Sequence, residues 1–271
     1  MLGGLVGIIA VIIVVFSIHS SGTIDRFVFN VFTVISLIPG FLSVAIWFIF
    51  IHERFEPPPH SSERNGFVSD IGELGSRFYK ILFVTSFFSL GFLGNSFGLM
   101  ISKDMGLPLK TILFALLVSR LVGSIGGIWL PFLCDRFGIK GANNLGFLAH
   151  SIACVGFNAA FYYGNLITLF LAYGVFGFSI SIHRTAAKTL CSLVTPLHHQ
   201  GLAIGFLFCG IGLATTIGSF VTGWLFELNK MFPFWYGAVF GVLSMLFLSL
   251  VYSDSEFQEA YVEHSLLSDS D

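Results

Sequence analysis

Asp135, Arg136, Gly138 and Lys140 place a carboxylate, two cations and a helix-stopping glycine in the order D-R-x-G-x-K. A carboxylate in such a turn can accept hydrogen bonds at the N-terminus of a neighbouring helix, where the helix dipole is positive. The arginine can grip an acidic partner through two parallel hydrogen bonds. The bland alternative is a solvated loop whose cations anchor it at a surface. Arg120 is a lone cation inside the apolar run 111–133, about ten residues from its start. In a bilayer that position is near the midplane, where a charge facing lipid costs from about 2.5 to well over 10 kcal/mol. Arg120 must therefore face a cavity or a partner. It could bind an anionic solute or take part in proton coupling; structurally, it could bond helix carbonyls or snorkel to the interface. No Asp or Glu occupies the central turns of any long apolar run, so its counter-charge lies elsewhere. Asn95, flanked by Gly94 and Ser96, and Asn158 also sit in apolar runs. Each needs a hydrogen bond from another helix or a ligand, and Asn95 is the better cavity candidate. Arg184 and Lys188 are four residues apart and share one helical face. They are interface anchors or a basic pair for phosphate or for a salt bridge, whereas His198-His199 reads as a hydrated loop.

Soluble chemistry is poorly served. The four cysteines, Cys134, Cys154, Cys191 and Cys209, lack metal-site spacing. There is no Ser/His/Asp set, no Walker loop and no G-x-G-x-x-G, so neither a metal nor a cofactor is expected. The net charge of −2 speaks against a nucleic-acid partner.

The elements that must position these residues are membrane helices. Only 10% of the 271 residues are charged, against about 25% in soluble domains, and mean hydropathy is +0.88. A hydrocarbon core of about 30 Å needs roughly 20 apolar residues in a helix. Eight runs qualify or nearly so: 2–18, 27–51, 79–101, 111–133, 143–163, 166–182, 202–226 and 232–251. The expected fold is an all-α polytopic membrane protein of about eight transmembrane helices. Residues 135–143 should form a polar turn of about nine residues, and the sixth span should continue as a helical extension over 183–193 until Pro196. The positive-inside rule puts this turn, and with it the C-terminus, in the cytoplasm. Arg54, Arg64, Arg77, Lys80, Arg136, Lys140, Arg184 and Lys188 then lie inside, against Arg26, Lys103, Lys110 and Lys230 outside. Residues 53–78, with Pro57-Pro58-Pro59, read as a linker, and 253–271 as an acidic disordered tail. Three small-residue pairs, Gly123/Gly127, Ala214/Gly218 and Ser219/Gly223, mark expected packing seams.

The stretch GGIWLPFLCDRFGIKG resembles the cytoplasmic loop signature of the major facilitator superfamily, roughly G-x-x-x-D-R-x-G-R-R. Here Pro131 replaces the first glycine and Ile139-Lys140 the last two basic positions. Residues 184–227 resemble that family's tenth and eleventh helices, with Gln200-Gly201 in place of R-G. IPGFLSVAIWFIFIHER is similar to the sixth helix entering the linker, and MLGGLVG to the end of the fifth. The resemblance implies the last two helices of an N-terminal half (1–52), a cytoplasmic linker (53–78) and a complete C-terminal six-helix bundle (79–252). It implies a secondary active transporter in the plasma membrane that moves a small, conceivably anionic solute by alternating access, with a proton as a candidate coupling ion. Arg120 and Asn95 would belong to the solute site, and Asp135, Arg136, Gly138 and Lys140 to a cytoplasmic gate held by an acid across the halves. Met1 falls inside the presumptive fifth helix, so the expectation is a fragment of a longer permease or exporter. The alternative is a non-transporting scaffold, or a half-transporter that works only with a partner chain.

Overall fold

The computed structural model describes residues 41, 72, 74–196 and 199–251. The expected span 2–18, the span 27–51 apart from residue 41, most of the linker, His198 and the acidic tail lie outside the described residues. Among the described residues the secondary structure is helical throughout: α1 (Gly75–Leu90), α2 (Asn95–Asp104), α3 (Leu109–Tyr163), α4 (Leu166–Val194), α5 (Gln200–Leu228) and α6 (Phe232–Val251). Five segments are long and apolar enough to cross a membrane, α1 and α2 together forming one of them. Large apolar side chains such as Phe220 and Leu250 are fully on the outside, which suits a lipid solvent and would be a liability in water.

Two local expectations are corrected. The run 79–101 is not one helix: it begins at Gly75 and breaks between Leu90 and Asn95. Gly91 lies so close to Phe240 that a Cβ there would overlap the Phe240 side chain, and Gly94 is extended (φ −70°, ψ 158°). The nine-residue turn 135–143 is also absent. Helical structure persists up to and immediately after Gly138, whose φ of 70° and ψ of 164° form the only break. That region of backbone space is essentially restricted to glycine, so one residue does what a loop was expected to do.

The reversal at Gly138 follows from the packing on α4. In the first arm of α3, residues 109–137, Gly123 faces Gly177 and Gly127 faces Ser181, so this arm runs parallel to α4. In the second arm, residues 139–163, Gly146 faces Ile182 and Gly156 faces Ala172, so this arm runs antiparallel to it. At 1.5 Å per residue α3 would otherwise be about 80 Å long, far beyond a bilayer. With its arms counted separately, the described chain makes the six spans expected there. The second arm ends at Gly164 (φ 62°), and Asn165 then caps α4 by accepting from the Ile167 and Thr168 N–H groups at 2.9 and 3.4 Å. The extension of α4 through 183–193 forms as expected, yet it is packed within the bundle: Ala186, Leu190 and Cys191 are buried.

Small residues and polar ties hold the helices together. A Cβ on Gly123 would stand 2.9 Å from the Gly177 carbonyl oxygen, and one on Gly218 would overlap the Leu90 carbonyl, so the first two expected seams are real. The third is not. Gly223 has open space around it, and Ser219 is exposed. Ser179 donates to the Gly146 carbonyl at 2.8 Å and Ser151 to the Ala238 carbonyl at 3.0 Å. Asn158, its amide nitrogen turned toward the Met231 carbonyl (3.2 Å), accepts from Trp235 Nε1 at 3.2 Å, so it is inter-helix glue. Aromatic rings from α1, α3, α4 and α6, among them Phe88, Phe147, Phe157, Phe176 and Phe234, fill the interior. An ion pair between Lys230 and Asp104 (2.9 Å) joins the end of α2 to the turn between α5 and α6.

Candidate functional site

The first arm of α3 and α4 come together on glycines, and the residues flanking that seam line a cavity of about 580 Å³. Arg120, Ser124, Gly127 and Pro131 contribute from α3; Ser181, Arg184 and Thr185 from α4; Asn95 from the first turn of α2. These positions recur at three- and four-residue intervals, so each helix presents a single polar stripe. Arg120 and Asn95, expected at a solute site, therefore meet in one cavity, and Arg184 joins them. Arg120 is almost level with Gly177, whose helix crosses between Ser119 and Gly123. Arg184 lies two turns further along α4, about 10 Å of rise. The two guanidinium groups are thus carried at different levels of the same cavity wall.

The donor and acceptor inventory gives that space a sign. Ser124 Oγ donates to the Arg120 carbonyl at 3.0 Å, and Thr185 Oγ1 to the Ser181 carbonyl at 3.0 Å. Their protons are committed to backbone. The donors left are two guanidinium groups, the Asn95 amide and the Ser119 and Ser181 hydroxyls, and no described lining residue carries a carboxylate. Asn95 Oδ1 is buried with no partner. Pro131 lacks an N–H and so leaves the Gly127 carbonyl without its helical donor, a second acceptor beside Asn95 Oδ1 in a donor-rich wall. Such a wall suits a small anion bearing one or more hydroxyl groups.

A second cavity, of about 310 Å³, opens between α1, α4 and α5. Arg184 lines this one too, together with Lys188, His183, Ser89 and Thr215. Lys188 Nζ lies 5.3 Å from the centre of the Phe208 ring, a cation–π distance. The basic pair anticipated on one face of α4 thus borders this cavity with both side chains exposed, and Arg184 is the wall shared by both cavities. His183 was not singled out by sequence reasoning. Its signal was its place directly before Arg184 in an otherwise apolar run.

The D-R-x-G-x-K residues line neither cavity. Asp135 and Arg136 are exposed on the last turn of the first arm, and the Arg136 guanidinium lies 5.5 Å from the centre of the Phe137 ring. Asp135 caps none of α2, α4 and α5: Asn165 caps α4, and the other two have no side-chain cap. It belongs to the end of its own helix. Among the described residues no group of three or more metal-ligating side chains comes together.

No family model matches the chain. Over 234 residues it is 22% identical to an "uncharacterized MFS-type transporter" of Methanocaldococcus jannaschii, a match covering 83% of this chain and 56% of that relative. The chain thus spans little more than half the length of the curated relative it matches. The long apolar helices and this distant match together describe an integral, multi-pass membrane protein similar to MFS-type transporters.

Proposed function

We propose that this chain is part of a secondary active transporter that moves a small anionic solute by alternating access. The observation that carries the reading is the cavity in which Arg120, Asn95 and Arg184 converge with no carboxylate among the described lining residues. A charge at the depth of Arg120 is retained only where it faces a partner or a cavity, and here it faces a cavity built from donors. In this reading residues 79–252 form one bundle, 1–52 contribute two helices of a second, and 53–78 link them in the cytoplasm. Further helices of the same protein, or a partner chain, complete the far wall. Asp135, Arg136, Gly138 and Lys140 act at the cytoplasmic end, where Arg136 would pair with an acid of the opposite bundle and break that pair as the bundles rock. Coupling to a proton gradient across the plasma membrane would drive the cycle, with the C-terminus in the cytoplasm.

The test is solute flux in proteoliposomes under imposed proton and solute gradients, using small carboxylates and phosphate esters as candidates. Arg120→Ala should abolish flux at unchanged membrane abundance, and Arg120→Lys should retain part of it, since lysine keeps the charge but not the forked geometry. A parallel loss of abundance would make Arg120 structural. Absence of flux in the wild-type protein under every gradient, with stable co-purification of another membrane protein, would instead favour a scaffold.

A further inference from the structure

The cavity between α1, α4 and α5 holds a group that the transport reading leaves unused. His183 is 5% exposed, and its Nδ1 has no hydrogen-bond partner. It forms part of the cavity wall beside Arg184 and Lys188. Apolar rings pack against it from two elements: Phe88 of α1 at 4.4 Å between ring centres, and Phe147 of α3 at 5.4 Å. The titratable and charged groups around it can be counted by element. From its own helix they are Arg184 and Lys188; from α3, His150, whose ring packs on the same Phe88 at 5.1 Å and whose Nε2 lies 3.6 Å from Cys154 Sγ. From α1 and the break after it the cavity wall is Ser89 and Phe92, and from α5 Leu207, Phe208, Ile211 and Thr215, none of them ionisable. Ser89 Oγ donates to the Thr85 carbonyl at 2.8 Å, so its proton is committed as well.

We infer that this second cavity is an anion-binding site in which His183 takes up a proton together with the anion. A histidine gains and loses its proton in the physiological range. A third positive charge beside Arg184 and Lys188 is poorly tolerated without a counter-ion, and an oxyanion supplies one. Thermodynamic linkage makes this reciprocal: an anion that favours the protonated ring is itself held more tightly when the ring is protonated. The unpartnered Nδ1 is then the atom that gains the proton or already carries it. No bond other than N–H is formed. A volume of about 310 Å³ accommodates a sulfate-sized anion with several waters at about 30 Å³ each. Arg184, shared with the Arg120 cavity, would pass an anion from one space to the other. The inference rests on the transport reading only for that hand-over, because binding can be measured without flux.

Sulfate is the probe of choice, because it does not titrate across the range in which histidine does. Equilibrium binding of radiolabelled sulfate to the purified full chain should tighten by well over tenfold, with a ceiling of about a hundredfold, between pH 7.5 and pH 5.5, because linkage to one proton gives at most about tenfold per pH unit. His183→Gln should bind sulfate at pH 7.5 like the wild type and lose the acid strengthening. Lys188→Gln should lose the acid-strengthened component, and Arg120→Gln should keep it. The proposal is overturned if the strengthening persists in His183→Gln, disappears instead in His150→Gln or Arg120→Gln, or is absent from the wild type. A second measurement needs no histidine variant: sulfate added to Arg120→Gln in weak buffer near pH 6.5 should draw about one proton per anion bound from solution. No proton uptake would also overturn it. Flux in proteoliposomes reports on the transport reading separately.

Discussion

The joint between the first arm of α3 and α4 depends on Gly177, and replacing it by alanine should loosen the wall that carries both arginines. A Cβ at this position would overlap the Ser119 carbonyl oxygen and stand 2.7 Å from the carbonyl carbon and 2.9 Å from Cα. All three atoms are backbone, so relief requires the two helices to separate by on the order of 1 Å. Overpacking of this kind costs typically about 1–3 kcal/mol, offset in part by the roughly 1 kcal/mol by which alanine is the better helix former. The net loss should be up to about 2 kcal/mol, a fall in Tm of up to roughly 8 °C for a chain of this size. Gly174, one turn earlier on the same helix, is the matched control. A Cβ there would make ordinary contacts with Val122 and Val118 at 3.7 and 3.9 Å. Gly174→Ala should leave Tm unchanged or raise it. The assay is thermal unfolding of both purified variants in one detergent, followed by tryptophan fluorescence. Equal behaviour of the two variants would refute the packing argument, and with it the account of how the cavity wall is held.

Three further outcomes follow from single contacts. Gly138→Ala meets open space but must adopt φ 70° and ψ 164°; the strain should cost about 1–3 kcal/mol, read as reduced Tm with no change of helical content. Asn158→Leu strands the Trp235 indole N–H and removes one of the two donors to the Met231 carbonyl, a loss of about 1–3 kcal/mol that should also shift the tryptophan emission spectrum. Lys230→Ala removes an ion pair whose side chains remain 49% and 29% exposed; such pairs are worth under about 1 kcal/mol, so Tm should move by no more than about 3 °C.

Membrane class and span positions were legible because each depends on a local property, the length of an uninterrupted apolar run. The end of α4 was accurate within its own neighbourhood, where Pro196 stops the helix. The seams at Gly123/Gly127 and Ala214/Gly218 were legible too, since small residues one turn apart clear a helix face whatever packs there. Gly223 shows the limit of that signal: the same spacing faces open space, because a cleared face has to find a partner. The break at Gly91–Gly94 was hidden inside a continuous apolar run and is fixed by the Phe240 side chain of a distant helix. From sequence Arg120 was expected at mid-depth and Arg184 on a basic face. That the two share a cavity, and that His183 stands in the next one, was decided by the tertiary structure alone. Periodicity says which residues share a face, and the choice and register of the facing helix come from backbone contacts, here Gly177 against Ser119, between residues far apart in the chain.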